Sequence, residues 1–128
     1  MNLLDENIIE AQRQQLARWR IHVRQIGVEI GVVGMNDREG ILPLLHTLRR
    51  PTFFTRDHDF YHPWLRHPKY CLVYLEVRPD EAALLIRRVL HHSHLRTQTQ
   101  RMGKVVRAHH EGISFWQVKV DKQQTVTW

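Results

Sequence analysis

Residues 52–60, TFFTRDHDF, join a structural signal to a chemical one. Phe53 and Phe54, flanked by threonines, form a short β-prone apolar run that reads as a buried strand. The run ends abruptly in Arg56, Asp57, His58 and Asp59. Aspartate is a poor strand former, and two aspartates this close repel one another, so folding gains little from the pair. A hard divalent cation would gain a great deal, because carboxylate oxygens are its natural ligands.

The segments on either side of this strand define its setting. Residues 1–4 are a short strand candidate that runs into Asp5. Residues 8–19 read as a helix, with Ile8 and Ala11 three apart, Ile9 and Leu16 seven apart, and Trp19 three beyond Leu16. Asn7 or Asp5 could cap it. Residues 20–24 alternate and predict a second strand, with His22 and Arg24 on one side and Ile21 and Val23 on the other. Residues 25–36 contain Gly27, Gly31 and Gly34 and read as a loop. Residues 37–49 read as a second helix capped by Asn36, with Ile41, Leu44, Leu45 and Leu48 as its apolar stripe and Pro43 in its first turns.

Pro51 turns the chain into the TFFT strand, and the proline- and aromatic-rich residues 56–69 read as a loop. Residues 71–77, CLVYLEV, give the clearest strand. Residues 79–92 read as a helix that opens with Pro79, Asp80 and Glu81 and closes in basic residues, matching the helix dipole. Strands at 104–108 and 113–120, joined by a turn at Glu111-Gly112, form a C-terminal hairpin. Strands alternating with helices predict an α/β fold: one domain over residues 1–128, with a mainly parallel sheet between helical layers.

Composition narrows the partners. The chain has 128 residues, 42% of them hydrophobic, enough for one core. No apolar run reaches the ~18 residues of a membrane span, and the acidic N-terminal stretch lacks the flank of a signal peptide. The single cysteine, Cys71, permits no internal disulfide and suits a reducing cytoplasm. Net charge is +6 and the isoelectric point about 10.1, so an anionic partner is expected. The basic residues are spread widely, whereas many acids fall in knots: Asp5-Glu6, Asp37 with Glu39, Asp57 with Asp59, and Asp80-Glu81.

In open α/β sheets, ligands bind beyond the carboxyl ends of the strands. Asp5 follows the first strand, Asp57 and Asp59 follow the third, and Asp37 and Glu39 open a helix expected at the same edge. Three or four carboxylates without cysteine favour Mg²⁺ or Mn²⁺. Such an ion activates water and stabilises charge on phosphate, and a basic surround binds a nucleic-acid backbone. The combination suggests phosphodiester hydrolysis.

Each group also has a plainer role. Asp5 could cap a helix, Asp37 and Glu39 could complement a helix dipole, and Asp57 and Asp59 could form a turn paired with Arg56. Thr55 could bond a carboxylate or phosphate, Arg56 could neutralise phosphate, and Asn7 could support Asp5. His58 could touch metal or substrate, or point away from the acids. Phe60, Tyr61 and Trp64, set among His62, Arg66, His67 and Lys69, could stack single-stranded bases, pack as a lid or meet a partner. Arg87, Arg88, Arg96 and Arg101 could track phosphates or bind an acidic protein segment. The histidines at 91, 92, 94, 109 and 110 lack a cysteine partner and HExxH spacing, so they read as solvated rather than zinc-binding. Cys71 reads as core.

MNLLDEN at the start, NDREGIL in the middle and FFTRDHDF further on resemble the PIN-like domains. The nearest likeness is to the short stand-alone group that opens with LLDEN and carries a TRDxDF box. It spans roughly residues 2–118. In that family's pattern the helix box runs directly from acid to Ile-Leu, whereas here Gly40 stands between Glu39 and Ile41. The resemblance implies a PIN-like, Rossmannoid α/β/α fold with an acidic metal site. It implies a Mg²⁺- or Mn²⁺-dependent ribonuclease, the toxin of a type II toxin–antitoxin pair, with RNA as substrate and an antitoxin or a second copy as protein partner. The alternative is a non-catalytic PIN-like module that binds nucleic acid or protein. By resemblance, Asp5, Asp37, Asp57 and Asp59 are the metal and catalytic acids, with Glu39 and Glu6 as second choices. Asn7, Thr55, Arg56 and His58 stand as candidate substrate contacts.

Overall fold

A computed structural model describes residues 1–36 and 39–128 in full, and Asp37 and Arg38 by backbone alone. The fold is α/β, built on a seven-stranded sheet of order β2-β1-β3-β4-β5-β6-β7. The strands are β1 (Asn2–Leu4), β2 (Arg24–Gln25), β3 (Thr52–Thr55), β4 (Cys71–Leu75), β5 (Lys104–His109), β6 (Gly112–Gln117) and β7 (Val120–Thr127). All pairings from β2 to β5 are parallel, and β5-β6-β7 run antiparallel. The helices are α1 (Glu10–Arg18), α2 (Leu42–Thr47), α3 (Ala82–His91) and α4 (Gln98–Arg101).

The alternation of side chains along each strand divides the core in two. Leu4, Phe54, Val73 and Val106 face one side, where they pack with Leu16 of α1 and Leu85, Ile86 and Val89 of α3. Leu3, Phe53, Leu72 and Val105 face the other, against Ile41, Leu45 and Phe60. Helices therefore cover both faces, which is why Phe53-Phe54 of β3 and residues 71–73 of β4 run apolar rather than alternating. All four residues of β3 are buried.

Several sequence expectations shift. The second strand is only Arg24–Gln25, not residues 20–24. Arg20 adopts a left-handed turn with φ 60°, and Ile21 and Val23 pack on the core without pairing. Neither Asp5 nor Asn7 caps α1, whose N-cap is Ile9 with no side-chain bond. The expected single helix from residue 37 opens as a π-helical turn, Asp37–Ile41, before α2. Gly40 N and Ile41 N both donate to Asn36 O, at 2.9 and 2.8 Å, and Asn36 Oδ1 accepts from Glu39 N at 3.1 Å, so Asn36 is the cap foreseen. The hairpin is a three-strand meander. The chain turns at Lys119, φ 66°, and β7 follows as a polar edge strand that the sequence did not reveal.

Arg101 is not a phosphate-tracking surface residue. It is 5% exposed, and its guanidinium donates to Thr52 Oγ1 at 2.9 Å and to Leu95 O at 2.9 Å. It joins α4 to the foot of β3.

Candidate functional site

The strand order fixes where a ligand would bind. After β1 the chain passes to β2 on one side, and it then returns to β3 on the other. In sheets of this order the crevice lies beyond the carboxyl ends of β1 and β3, where the connections diverge. Asp5 follows β1 directly, and Arg56, Asp57, His58 and Asp59 follow β3.

A chain of hydrogen bonds links these acids. Asp5 N donates to Phe54 O at 2.9 Å, continuing the β1–β3 ladder. Thr55 Oγ1, fully buried, donates to Asp5 Oδ2 at 2.6 Å and accepts from Asp57 N at 3.0 Å. Asp57 Oδ1 in turn accepts from Asp59 N at 2.9 Å, capping the short 3₁₀ turn His58–Phe60. The same turn brings His58 Nε2 to 3.4 Å from Asp59 Oδ1. One ligand atom from each of Asp57, His58 and Asp59 lies within 4.8 Å of the others. Asp5 lies outside that tight group and joins it through Thr55.

Asp5 is the electrostatic anomaly of the site. It is 7% exposed, and among the described residues it makes no ion pair. Burial raises its pKa above the ordinary carboxylate value. The Thr55 hydroxyl and the Glu6 amide pull it back, while the charges of Glu6 and Asp57 add to the rise. A buried carboxylate without a cation is costly unless something neutralises it. Asp5, Asp57, His58 and Asp59 supply oxygen and imidazole donors at one sheet edge, a donor set that fits a divalent cation.

The other expected site residues are held in different ways. Both Glu6 carboxylate oxygens accept from Gly34 N at 3.0 Å, tying down the glycine loop. Glu39 is exposed at the π-helical turn, and the Asp37 side chain lies outside the described residues. Asn7 is exposed beside Asp5. Arg56 forms no ion pair with the aspartates. Its Nε donates to Val77 O at 3.0 Å, and Arg56 lines a groove of about 370 Å³ with Tyr74, Glu76, Arg78 and His110. Asp59 lines a different cleft, of about 550 Å³, with His62 and Trp64.

Sequence reasoning missed Gln25. Its buried amide donates to Asp5 O at 3.1 Å and Ile8 O at 2.8 Å, fixing the turn that presents the Asp5 carboxylate. Nothing in the local sequence announces that role, which depends on β2 lying beside β1.

No helix of the described residues is long and apolar enough to cross a membrane. Comparisons with protein-family models, curated proteins and solved structures found no match to this chain.

Proposed function

We propose that the chain is a PIN-like, divalent-metal-dependent ribonuclease, acting as the toxin of a toxin–antitoxin pair. The observation that carries this reading is the Asp5–Thr55–Asp57 bridge at the β1/β3 switch point, with Asp59 and His58 beside it. The LLDEN and TRDxDF boxes supply those same residues, and the family they resemble supplies the reaction and the toxin role.

Asp5, Asp57 and Asp59 would hold Mg²⁺ or Mn²⁺, with His58 beside them. Asp37 completes the set by resemblance alone, with Glu39 and Glu6 as second choices. A bound ion of this kind supplies an activated water and neutralises charge on the phosphate being attacked. The chain's own residues do the rest. Thr55 orients Asp5 and fixes the Asp57 backbone. Gln25 sets the turn from which Asp5 projects. Arg56, free of ion pairing among the described residues, offers its guanidinium to a phosphate next to the acids. The π-helical turn is relevant too, because turns of this type absorb one extra residue and recur at functional sites. Gly40, the residue that separates Glu39 from Ile41, lies within it.

The test is cleavage of RNA by purified protein with Mg²⁺ or Mn²⁺ and with chelator. Cleavage only with metal, lost in Asp57→Asn, supports the reading, and equal cleavage in chelator ends it. Salt-sensitive RNA binding without turnover, unchanged by Asp57→Asn, would instead make this a non-catalytic binding module.

A further inference from the structure

We propose that the 550 Å³ cleft beside Asp59 is a nucleobase pocket with Trp64 as its stacking platform, so the strand brought to the acids is single-stranded RNA. The identity of the strand rests on the ribonuclease reading above. The pocket itself rests on its own geometry.

Trp64 is 68% exposed although it is among the largest apolar side chains of the molecule. Its ring stacks on His62 with centroids 4.2 Å apart and planes 9° from parallel. The indole therefore forms part of an ordered two-ring platform rather than a loose surface side chain. The backbone beneath it is held. Pro63 opens the short turn Pro63–Leu65, and Arg66 Nε donates to Pro63 O at 2.6 Å. Arg66 Nη1 donates to Gln117 O at 3.1 Å and Val120 O at 2.6 Å, anchoring the turn to the bend between β6 and β7. A platform fixed in advance loses little freedom when a ring stacks on it.

The remaining walls suit a base. Leu42, Phe60 and Leu65 line it with apolar surface, and Asn36 and Asp59 add an amide and a carboxylate. The volume lies within the ~300–1,000 Å³ typical of small-ligand sites. Asp59 belongs to both the cleft and the acid group, so a base seated on Trp64 leaves its own backbone beside Asp57. Arg56, on the other sequence side of Asp57, lines a separate groove, and its guanidinium would meet the next phosphate. A base inside a duplex is already stacked on its neighbours and cannot take this place. A single strand can, and stacking accepts any base because each has a π-face.

The experiment measures equilibrium binding of a short fluorescent RNA in chelator at low salt, where stacking persists and cleavage does not interfere. Wild type, Trp64→Ala and Trp64→Phe are compared on the single strand, on the same strand in a duplex, and on a strand with one abasic position. Trp64→Ala is expected to weaken single-strand binding about tenfold or more, and Trp64→Phe to remain within about threefold of wild type. Duplex binding should not distinguish the three proteins. Equal single-strand binding by wild type and Trp64→Ala overturns the pocket, as does a wild type that does not bind. Cleavage of the same RNA with Mn²⁺ is scored separately. Trp64-dependent binding without cleavage sinks the nuclease reading and leaves the pocket standing, and cleavage with Trp64-independent binding does the reverse. Circular dichroism confirms that the exposed substitution leaves the fold intact.

Discussion

The Thr55 hydroxyl donates to Asp5 Oδ2 at 2.6 Å, so a residue at the end of β3 holds the carboxylate that follows β1. Removing that donor while keeping the shape isolates its effect. Thr55→Val should cost about 1–2 kcal/mol of stability, since it also strips the acceptor from Asp57 N. Without the Thr55 bond, the Asp5 pKa should rise further. The acidic limb of the cleavage–pH profile should move to higher pH, and Thr55→Ser should move it back. An unmoved limb in Thr55→Val would detach Asp5 from the reaction.

Asp5 also sets a sign for stability against pH. Burial raises its folded pKa above its unfolded one. Its contribution to stability is therefore fully present below the unfolded value and is lost as pH rises through the raised folded value. At neutral pH without metal, Asp5→Asn should melt higher than wild type, and the gain should shrink as the pH falls through the raised folded value and level off once it is below the ordinary carboxylate value. Melting curves across pH in chelator check this. A lower melting temperature for Asp5→Asn at neutral pH would contradict it.

Divalent metal should reverse that penalty. An ion that binds only the folded state adds about 2.7 kcal/mol at about 100 times its dissociation constant. Mn²⁺ should raise the melting temperature of wild type and leave Asp57→Asn nearly unmoved. Calorimetry with and without the ion reads the difference directly.

Arg101 should behave as a core residue. Replacing it with Leu leaves Thr52 Oγ1 and the Leu95 and Arg96 carbonyls without their donor. The expected loss is about 2–4 kcal/mol in urea unfolding. RNA affinity of the folded protein should stay within about twofold, because the guanidinium is bound to Thr52 and to backbone carbonyls inside the fold.

Cys71 lies buried at the start of β4, and burial pushes its thiol up to about 12. The thiolate is the reactive form. A disulfide reagent such as Ellman's should therefore react only at the rate of unfolding and fully in denaturant.

The parts of the fold that the sequence made legible are those where burial dictates residue type. Phe53-Phe54 and CLVYL had to be strands covered on both faces. The helix at Pro79 was announced by its proline, its opening acids and its basic end. By contrast, β7 reads VDKQQTVT, with little apolar periodicity, because it is an edge strand whose existence depends on pairing with β6. β2 is only two residues long, paired with Leu3 and Leu4 of β1, and the alternation at residues 20–23 carried no sign that Ile21 and Val23 would pack without pairing. Within the candidate site, the strand-end acids stood out because two aspartates close together are unusual after an apolar strand, although Asp57 also caps the turn that follows, the plainer role the sequence offered. The fate of Glu6 was not legible, since its partner is a backbone amide 28 residues away at Gly34. The sequence left Arg56 either to pair with the aspartates or to meet phosphate, and in the fold a carbonyl after β4 accepts its Nε–H.

The parallel pairing of β1 with β3 has a kinetic consequence. Asp5 and Thr55 are separated by 50 positions in the chain, so no local hairpin or helix can bring them together. Their contact appears only when the ends of a long crossover close, the slow class of event in folding. A nascent or partly collapsed chain carries every acid of the site yet holds none of them in register. The Asp5–Thr55 bond thus doubles as a readout of sheet assembly. In refolding experiments, the ability to bind the ion should emerge together with protection of the central strands against hydrogen exchange, and not before it.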